Sequence, residues 1–258
     1  MSGKVYLVGA GPGATDLLTL RAASLLGRAD VVLYDALVAP QTLALAAHAT
    51  KIAVGKRSGR YSTAQKFINK RLVDAARQHA VVVRLKGGDP MLFGRAQEEI
   101  DALTAAEIEF EVVPGVTAAC AASAELGVSL TRRGVARTVS FVTPRAANGE
   151  PENDWVTSVI AADTAIIYMG AGLSETICAT LVARGQAGGT PVAVVENATL
   201  PAKRIVLGRL YELPRIARGI GSGPAVIILG EVLRQALETQ ASMTVSPEVT
   251  DAGAQRSL

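Results

Sequence analysis

Lys86-Gly87-Gly88-Asp89-Pro90 sets two residues without side chains between a cation and an acid. Glycine has no Cβ, so a ligand can lie directly against backbone there. Asp89 followed by Pro90 also carries the residue types of a helix start, a carboxylate cap and a proline at the first helical position. Four further segments share this character: Gly9-Ala10-Gly11-Pro12-Gly13, the lone acid Asp35, Gly55-Lys56-Arg57, and Pro114-Gly115-Val116-Thr117. A carboxylate at such a site can face a developing cation or take a proton from it. Arginine can grip a carboxylate through two parallel bonds. Each segment taken singly reads equally well as an ordinary turn.

Their setting changes that. Each directly follows a short apolar run: Val5-Tyr6-Leu7-Val8, Val31-Val32-Leu33-Tyr34, Ile52-Ala53-Val54, Val81-Val82-Val83-Arg84-Leu85 and Phe110-Glu111-Val112-Val113. Helical patterns separate them, over roughly 16–26, 62–78 and 95–106. Ser62 and Gln65 have capping-box spacing, and Gly27 stands where a C-terminal cap belongs. Alternating strand and helix predicts a mostly parallel sheet with helices on its faces. Ligands bind such sheets beyond the carboxyl ends of the strands, so all five segments are expected along one rim. The second half has apolar runs over 138–142, 164–169, 191–195 and 225–229, with Arg137-Thr138 and Ile205-Val206 in a more antiparallel style. The expectation is two α/β domains, 1–114 and 115–239, the first with a mostly parallel sheet and the second with a mixed one. From Gln240 to Leu258 the chain is polar, small and aperiodic, and reads as a disordered tail.

Composition agrees. The chain has 258 residues, 49% hydrophobic but only 4% aromatic, which suits Ala, Val, Leu and Ile strands buried on both faces. A net charge of +3 without Lys/Arg blocks, and so few aromatics, argue against nucleic-acid binding. Cys120 and Cys178 have no CxxC spacing and predict neither disulfide framework nor metal site. Cys120 reads as a small core packer on a helix. His48 and His79 lack metal or nucleophile partners in the sequence. Neither a signal peptide nor an apolar run of membrane-spanning length is visible, so the expected location is cytoplasmic.

Gly9, Gly11 and Ala14 fit the loose dinucleotide pattern G-x-G-x-x-[GA], with Asp35 near the place of a ribose-binding acid. An NAD(P)-dependent reductase is therefore one hypothesis. Against it, Pro12 lacks an N–H for a pyrophosphate cradle, and the other glycine-rich segments stay unexplained.

Leu7-Val8-Gly9-Ala10-Gly11-Pro12-Gly13 with Leu17-Leu18-Thr19 resembles the opening of the tetrapyrrole methylase family. Gly55-Lys56-Arg57, Arg84 through Pro90, Phe93-Gly94-Arg95, Glu98-Glu99, Phe110 through Gly115 and Tyr168-Met169-Gly170 resemble, within it, the uroporphyrinogen-III C-methyltransferases. The resemblance covers about residues 3–237. It implies S-adenosylmethionine as methyl donor, S-adenosylhomocysteine as product, no metal, uroporphyrinogen III as substrate, and a homodimer with the cofactor in a cleft between two α/β domains. Carried over by position, it implies cofactor contacts at Pro12, Gly87, Gly88, Asp89, Leu92, Thr117, Ala118, Met169 and Ala198, with backbone from Pro224 and Ala225. It implies Asp35 as proton acceptor, Lys56 as proton donor, and Arg95 with Glu98 as a pair serving substrate or reaction. Eight substrate carboxylates call for arginines. Arg57, Arg95 and Arg132 are the candidates, with Met169 beside them, and Arg60, Arg133 and Arg145 are expected on the same rim loops. The chain departs from the family pattern at Ala96-Gln97, Arg132 and Pro144-Arg145, all on loops expected to face substrate. A sister methylase acting on a later corrin intermediate and a non-catalytic nucleotide-sensing module remain as alternatives.

Overall fold

In the computed structural model, residues 3–55, 65–145 and 154–245 are described. Strands β1 (Lys4–Gly9), β2 (Val31–Tyr34), β3 (Thr50–Ala53), β4 (Val81–Lys86) and β5 (Phe110–Val113) form one sheet in the order β3-β2-β4-β1-β5. Every pairing in it is parallel, in register Leu7 opposite Arg84 and Leu33 opposite Arg84. All five carboxyl ends therefore lie on one edge, as the alternation required. The crossovers are α1 (Leu20–Gly27), α2 (Pro40–Ala44), α3 (Gln65–Gln78) and α4 (Ala96–Ala105). Helices α3 and α4 pack on one face over Val5, Leu7, Leu33 and Val82, and α1 covers the other over Val8, Val32 and Leu85. The chain moves left from β1 to β2 and right from β4 to β5, so the sheet's switch point falls between the adjacent strands β1 and β4.

The second sheet runs β6-β7-β10-β8-β9, from β6 (Val139–Val142), β7 (Thr164–Tyr168), β8 (Pro191–Glu196), β9 (Arg204–Arg209) and β10 (Ala225–Gly230). Only the β6–β7 pair is parallel, giving the mixed sheet expected. Because β10 runs against β7 and β8, its first residues lie beside their last: Val226 opposite Tyr168, and Ala225 opposite Glu196. Its helices are α5 (Ala118–Leu126), α6 (Trp155–Ala161), α7 (Ser174–Ala183), α8 (Leu213–Gly219) and α9 (Arg234–Val245).

Several local expectations are corrected. Asp89-Pro90 starts no helix. The Asp89 carboxylate accepts from Met91 N at 2.8 Å, closing a turn, and α4 waits until Ala96 behind Arg95 in the left-handed region. Gly27 is the last residue of α1, and Arg28 follows as its cap. Arg137 and Thr138 precede β6 and hand their backbone N–H groups to Asp163. Helix α9 continues beyond Gln240. Thr239 and Ser242 donate their hydroxyls to carbonyls one turn back, at Gln235 and Glu238, so small polar residues stay helical there. Cys120 is exposed on α5. The Ser62 capping box lies outside the described residues.

Candidate active site

At the switch point the loops after β1 and β4 are joined to each other. Gly11 N donates to Gly88 O at 3.2 Å and Gly88 N donates to Gly11 O at 2.8 Å. Ala10 N donates to Lys86 O, and Ala14 N to Thr199 Oγ1 at 3.0 Å. Pro12 has no N–H. The loop thus keeps almost no donors for a pyrophosphate. A single 3-10 turn (Thr15–Leu17) follows, and the next α-helix begins only at Leu20, with Thr19 Oγ1 already accepting from Ala22 N. Both requirements of a dinucleotide cradle fail.

Three glycines make this junction. A Cβ on Gly115 would lie 2.4 Å from Gly88 O and 2.9 Å from Gly9 Cα, so backbone from β1, β4 and β5 meets where no side chain fits. Asp89 fastens the same corner, its Oδ2 accepting from Gly115 N at 3.0 Å. A Cβ on Gly88 would meet nothing within 4 Å, leaving its φ of +68° face open.

The second sheet closes on this edge. A Cβ on Gly13 would touch Leu200 at 2.8 Å. The Phe93 ring packs on Tyr168 with centroids 5.1 Å apart. The Tyr168 hydroxyl lies 2.6 Å from Thr117 Oγ1 and accepts from Ala119 N at 3.1 Å, so the end of β7 caps the start of α5. Burial pushes the Tyr168 pKa up. Met169, Asn197 and Thr199 hold φ of 55°, 50° and 69°, and Phe93 and Arg95 hold 52° and 55°. Left-handed backbone outside glycine is a strain that gathers at functional sites. Leu37, Met91, Phe93 and Met169 on these same loops, and Phe141 near the end of β6, are exposed apolar side chains, a lining suited to a flat apolar ligand.

Beneath the rim lies a charge cluster that sequence reading missed. Arg84 Nη2 donates to Asp35 Oδ1 at 2.5 Å, Arg84 Nε donates to Glu99 Oε1 at 3.0 Å, and Lys86 Nζ donates to the same Glu99 oxygen at 2.9 Å. Burial and the neighbouring Arg84 charge hold the Lys86 pKa below the usual lysine range, with Glu99 and Asp35 pulling against them. Two signals could have revealed it. Arg84 and Lys86 are charges at i, i+2 inside an apolar parallel strand, and Glu99 falls on the Ala96–Leu103 face of α4.

The loops carrying Pro12, Asp35, Gly87, Gly88, Asp89, Leu92, Thr117, Ala118, Met169, Ala198 and Ala225 are thus brought to one crevice. Gly55 reaches it too, since a Cβ there would lie 2.9 Å from Asp35 Cα. Lys56, Arg57 and Arg60 lie outside the described residues. Arg95 forms a fork on Glu98 at 2.6 and 2.8 Å, both side chains about half exposed. Arg145 follows β6 on the crevice side. Arg132 is not brought there. It bonds backbone to backbone with Ala136, just before β6 begins, and its guanidinium donates to Gln235 at 3.4 Å. That is the opposite edge of the second sheet, and Arg133 shares the same turn. Helix α5 leads the chain away from the crevice before these arginines arrive, which a loop assignment by sequence order does not register. Among the described residues no group of three or more His, Cys, Asp or Glu could hold a metal, and no helix is long and apolar enough to cross a membrane.

The family model of the tetrapyrrole (corrin/porphyrin) methylases matches residues 4–214. A siroheme synthase of Azotobacter vinelandii is 47% identical over 234 residues, which are 90% of this chain and 50% of that protein. The chain spans about half the length of the curated relatives it matches. A crystal structure of uroporphyrin-III C-methyl transferase from Thermus thermophilus complexed with S-adenyl homocysteine superposes with a TM-score of 0.80 at 42% identity, covering 90% of this chain and all of that one. The X-ray structure of a cobalamin biosynthetic enzyme, cobalt precorrin-4 methyltransferase, gives 0.78 at 30% identity, covering 89% of this chain and 95% of that one.

Proposed function

This chain belongs to the tetrapyrrole (corrin/porphyrin) methylases, and from that premise we propose that it methylates two pyrrole ring carbons of uroporphyrinogen III to give precorrin-2. The donor is S-adenosylmethionine. The observation that carries this reading is the single crevice into which both sheets deliver glycine backbone, two acids and an apolar lining. Its chemistry fits the donor. A sulfonium cofactor has no phosphate, and the Gly11–Gly88 pairing leaves no cradle for one. The open face of Gly88 and the small residues Ala118 and Ala198 leave room against backbone, and Leu92 and Met169 offer apolar contact. Residues Pro12, Gly87, Gly88, Asp89, Leu92, Thr117, Ala118, Met169, Ala198 and Ala225 would hold it.

When bound, the cofactor supplies an activated methyl group, its C–S bond breaking as the ring carbon's new C–C bond forms, and a neutral thioether leaves. The protein's share is mostly placement. Holding the ring carbon in line can supply roughly 7–11 kcal/mol. Phe93, Phe141 and Met169 offer the macrocycle an apolar bed. The methylated ring is cationic and must lose a proton. Asp35 Oδ1 is engaged by Arg84, and its Oδ2, without a partner among the described residues, takes that proton. Lys56 is the proton donor, and Arg95 and Glu98 serve the substrate. The active form is a homodimer.

Incubation with uroporphyrinogen III and S-adenosylmethionine, followed by mass spectrometry, tests this. Two added methyl groups and two equivalents of S-adenosylhomocysteine are expected. A second reading, methylation of a later corrin intermediate, is favoured by the similarity to the cobalt precorrin-4 enzyme. Cofactor binding without turnover of uroporphyrinogen III would select it. Binding of NADPH in place of the sulfonium donor would defeat both.

A further inference from the structure

Four charges are linked pairwise, Lys86 to Glu99, Glu99 to Arg84 and Arg84 to Asp35, three of them sealed and the last reaching the crevice. Side-chain exposures are 0% for Glu99, 2% for Arg84, 3% for Lys86 and 27% for Asp35. Arg84 and Lys86 stand two residues apart on β4 and so project from the same face, onto which α4 lowers Glu99. Asp35 follows β2, the neighbour of β4.

Stability does not account for this cluster. Taking ions out of water is expensive, and well-packed apolar residues in their place are often as stable or more so. Glu99 makes the arrangement less favourable still. Its Oε1 accepts from Arg84, Lys86 and Gln65, while its buried Oε2 has no partner among the described residues. An unmatched buried acceptor costs about 1–3 kcal/mol.

The geometry serves Asp35. Each of the three Arg84 nitrogens has its own bond: Nε to Glu99, Nη1 to Leu85 O at 3.2 Å, and Nη2 to Asp35. The guanidinium plane cannot turn, so the Asp35 carboxylate meets a fixed partner. Lys86 supplies Glu99 with a counter-charge of its own, which leaves the Arg84 charge to Asp35.

We propose that Arg84, clamped by Glu99 and Leu85 O, is a positioning residue that fixes the Asp35 carboxylate so that Oδ2 faces the reacting ring. Lys86 keeps the clamp neutral. This rests on the reading above in which Asp35 accepts the proton.

The test is a double-mutant cycle in the full chain with Arg84→Met, Arg84→Lys, Asp35→Asn and Arg84→Met/Asp35→Asn. Turnover, S-adenosylhomocysteine binding by calorimetry, and thermal unfolding are measured on each. Arg84→Met is expected to lower kcat by about 10- to 100-fold, the scale of a small misplacement in an active site. KM for both substrates and the affinity for S-adenosylhomocysteine should stay within about threefold, while the melting temperature should fall, because one partner of a buried ion pair is removed and Glu99 stays. Arg84→Lys should recover part of the loss. In the Asp35→Asn background the further loss from Arg84→Met should be under about threefold, because both act through one group. Parental kcat in Arg84→Met, or losses that multiply in the double variant, would overturn the proposal. Parental turnover in Asp35→Asn would instead remove Asp35 from the chemistry and the proposal with it. Absence of methylation by the unaltered protein would show that the underlying reading had failed first.

Discussion

The two sides of the crevice are built by opposite means. On the parallel sheet, glycines at 9, 88 and 115 let three strand ends touch backbone to backbone, and a Cβ at Gly9 or Gly115 would strike backbone atoms. On the mixed sheet the special conformations belong to residues with side chains: Met169, Asn197 and Thr199 all have positive φ. One side gives up side chains to gain proximity. The other relies on left-handed residues that keep their side chains, a strain of order 1–3 kcal/mol per residue that Phe93 and Arg95 also carry on the parallel side. Charge follows the same division. The cluster of Arg84, Lys86, Glu99 and Asp35 underlies the parallel side. The opposing strand end holds the buried acid Glu196, whose carboxylate accepts from the backbone N–H groups of Gly221 and Gly223 at 2.9 and 2.7 Å.

Gly115→Ala should have the largest effect. Its Cβ meets backbone that cannot swing aside, so stability is expected to fall by about 1–3 kcal/mol, and S-adenosylhomocysteine binding by roughly 100-fold (about 2.7 kcal/mol). Denaturant unfolding and calorimetry check both, and a fully active alanine variant would break the contrast between the two sides. Tyr168→Phe comes next. It keeps the ring against Phe93 and removes the hydroxyl that holds Thr117 and Ala119 N. A loss near 1 kcal/mol and a several-fold weaker cofactor affinity are expected, with kcat nearly unchanged. Met169→Gly should act in the reverse sense on stability. Releasing a left-handed residue gains roughly 1–2 kcal/mol, partly offset by about 0.5–1 kcal/mol of added chain entropy. The melting temperature should rise slightly while activity drops, the reverse of what Gly115→Ala does to stability.

Asp163→Asn is the smallest and lies away from the crevice. Hydrogen bonds from Arg137 N, Thr138 N and the Thr138 hydroxyl hold the Asp163 pKa below the usual carboxylate range. Its contribution is therefore present above the unfolded value of about 3.9 and is lost as pH falls through the lower folded value. The parent and Asp163→Asn should differ in melting temperature at neutral pH and converge in strong acid, with activity unaffected throughout.

Local patterns were legible where local chemistry decided them. The apolar runs at 5–8, 31–34, 81–85 and 110–113 became parallel strands. The alternation of strand with helix was enough to put their glycine-rich ends on one edge. Local reading failed where a neighbour far along the chain decides. Asp89-Pro90 has the types of a helix start, yet the Asp89 carboxylate is drawn to Gly115 N and Met91 N and closes a turn. Glu98 and Glu99 are adjacent and chemically identical. The packing of α3 and α4 on β4 seals Glu99 among cations and leaves Glu98 half exposed with Arg95. Arg132 was expected on a substrate-facing loop, but α5 had already carried the chain to the other edge of its sheet.

The sequence by itself determined the periodicity, the glycines that allow backbone contact and the acids at strand ends, because those follow from each residue's own conformational and polar character. Only the tertiary structure decided which charges are buried together, which loops share a crevice and which oxygen of Asp35 has no partner among the described residues. Burial and hydrogen-bond partnership are set by segments that meet across 15 and 49 residues of chain, and no local pattern records such a meeting.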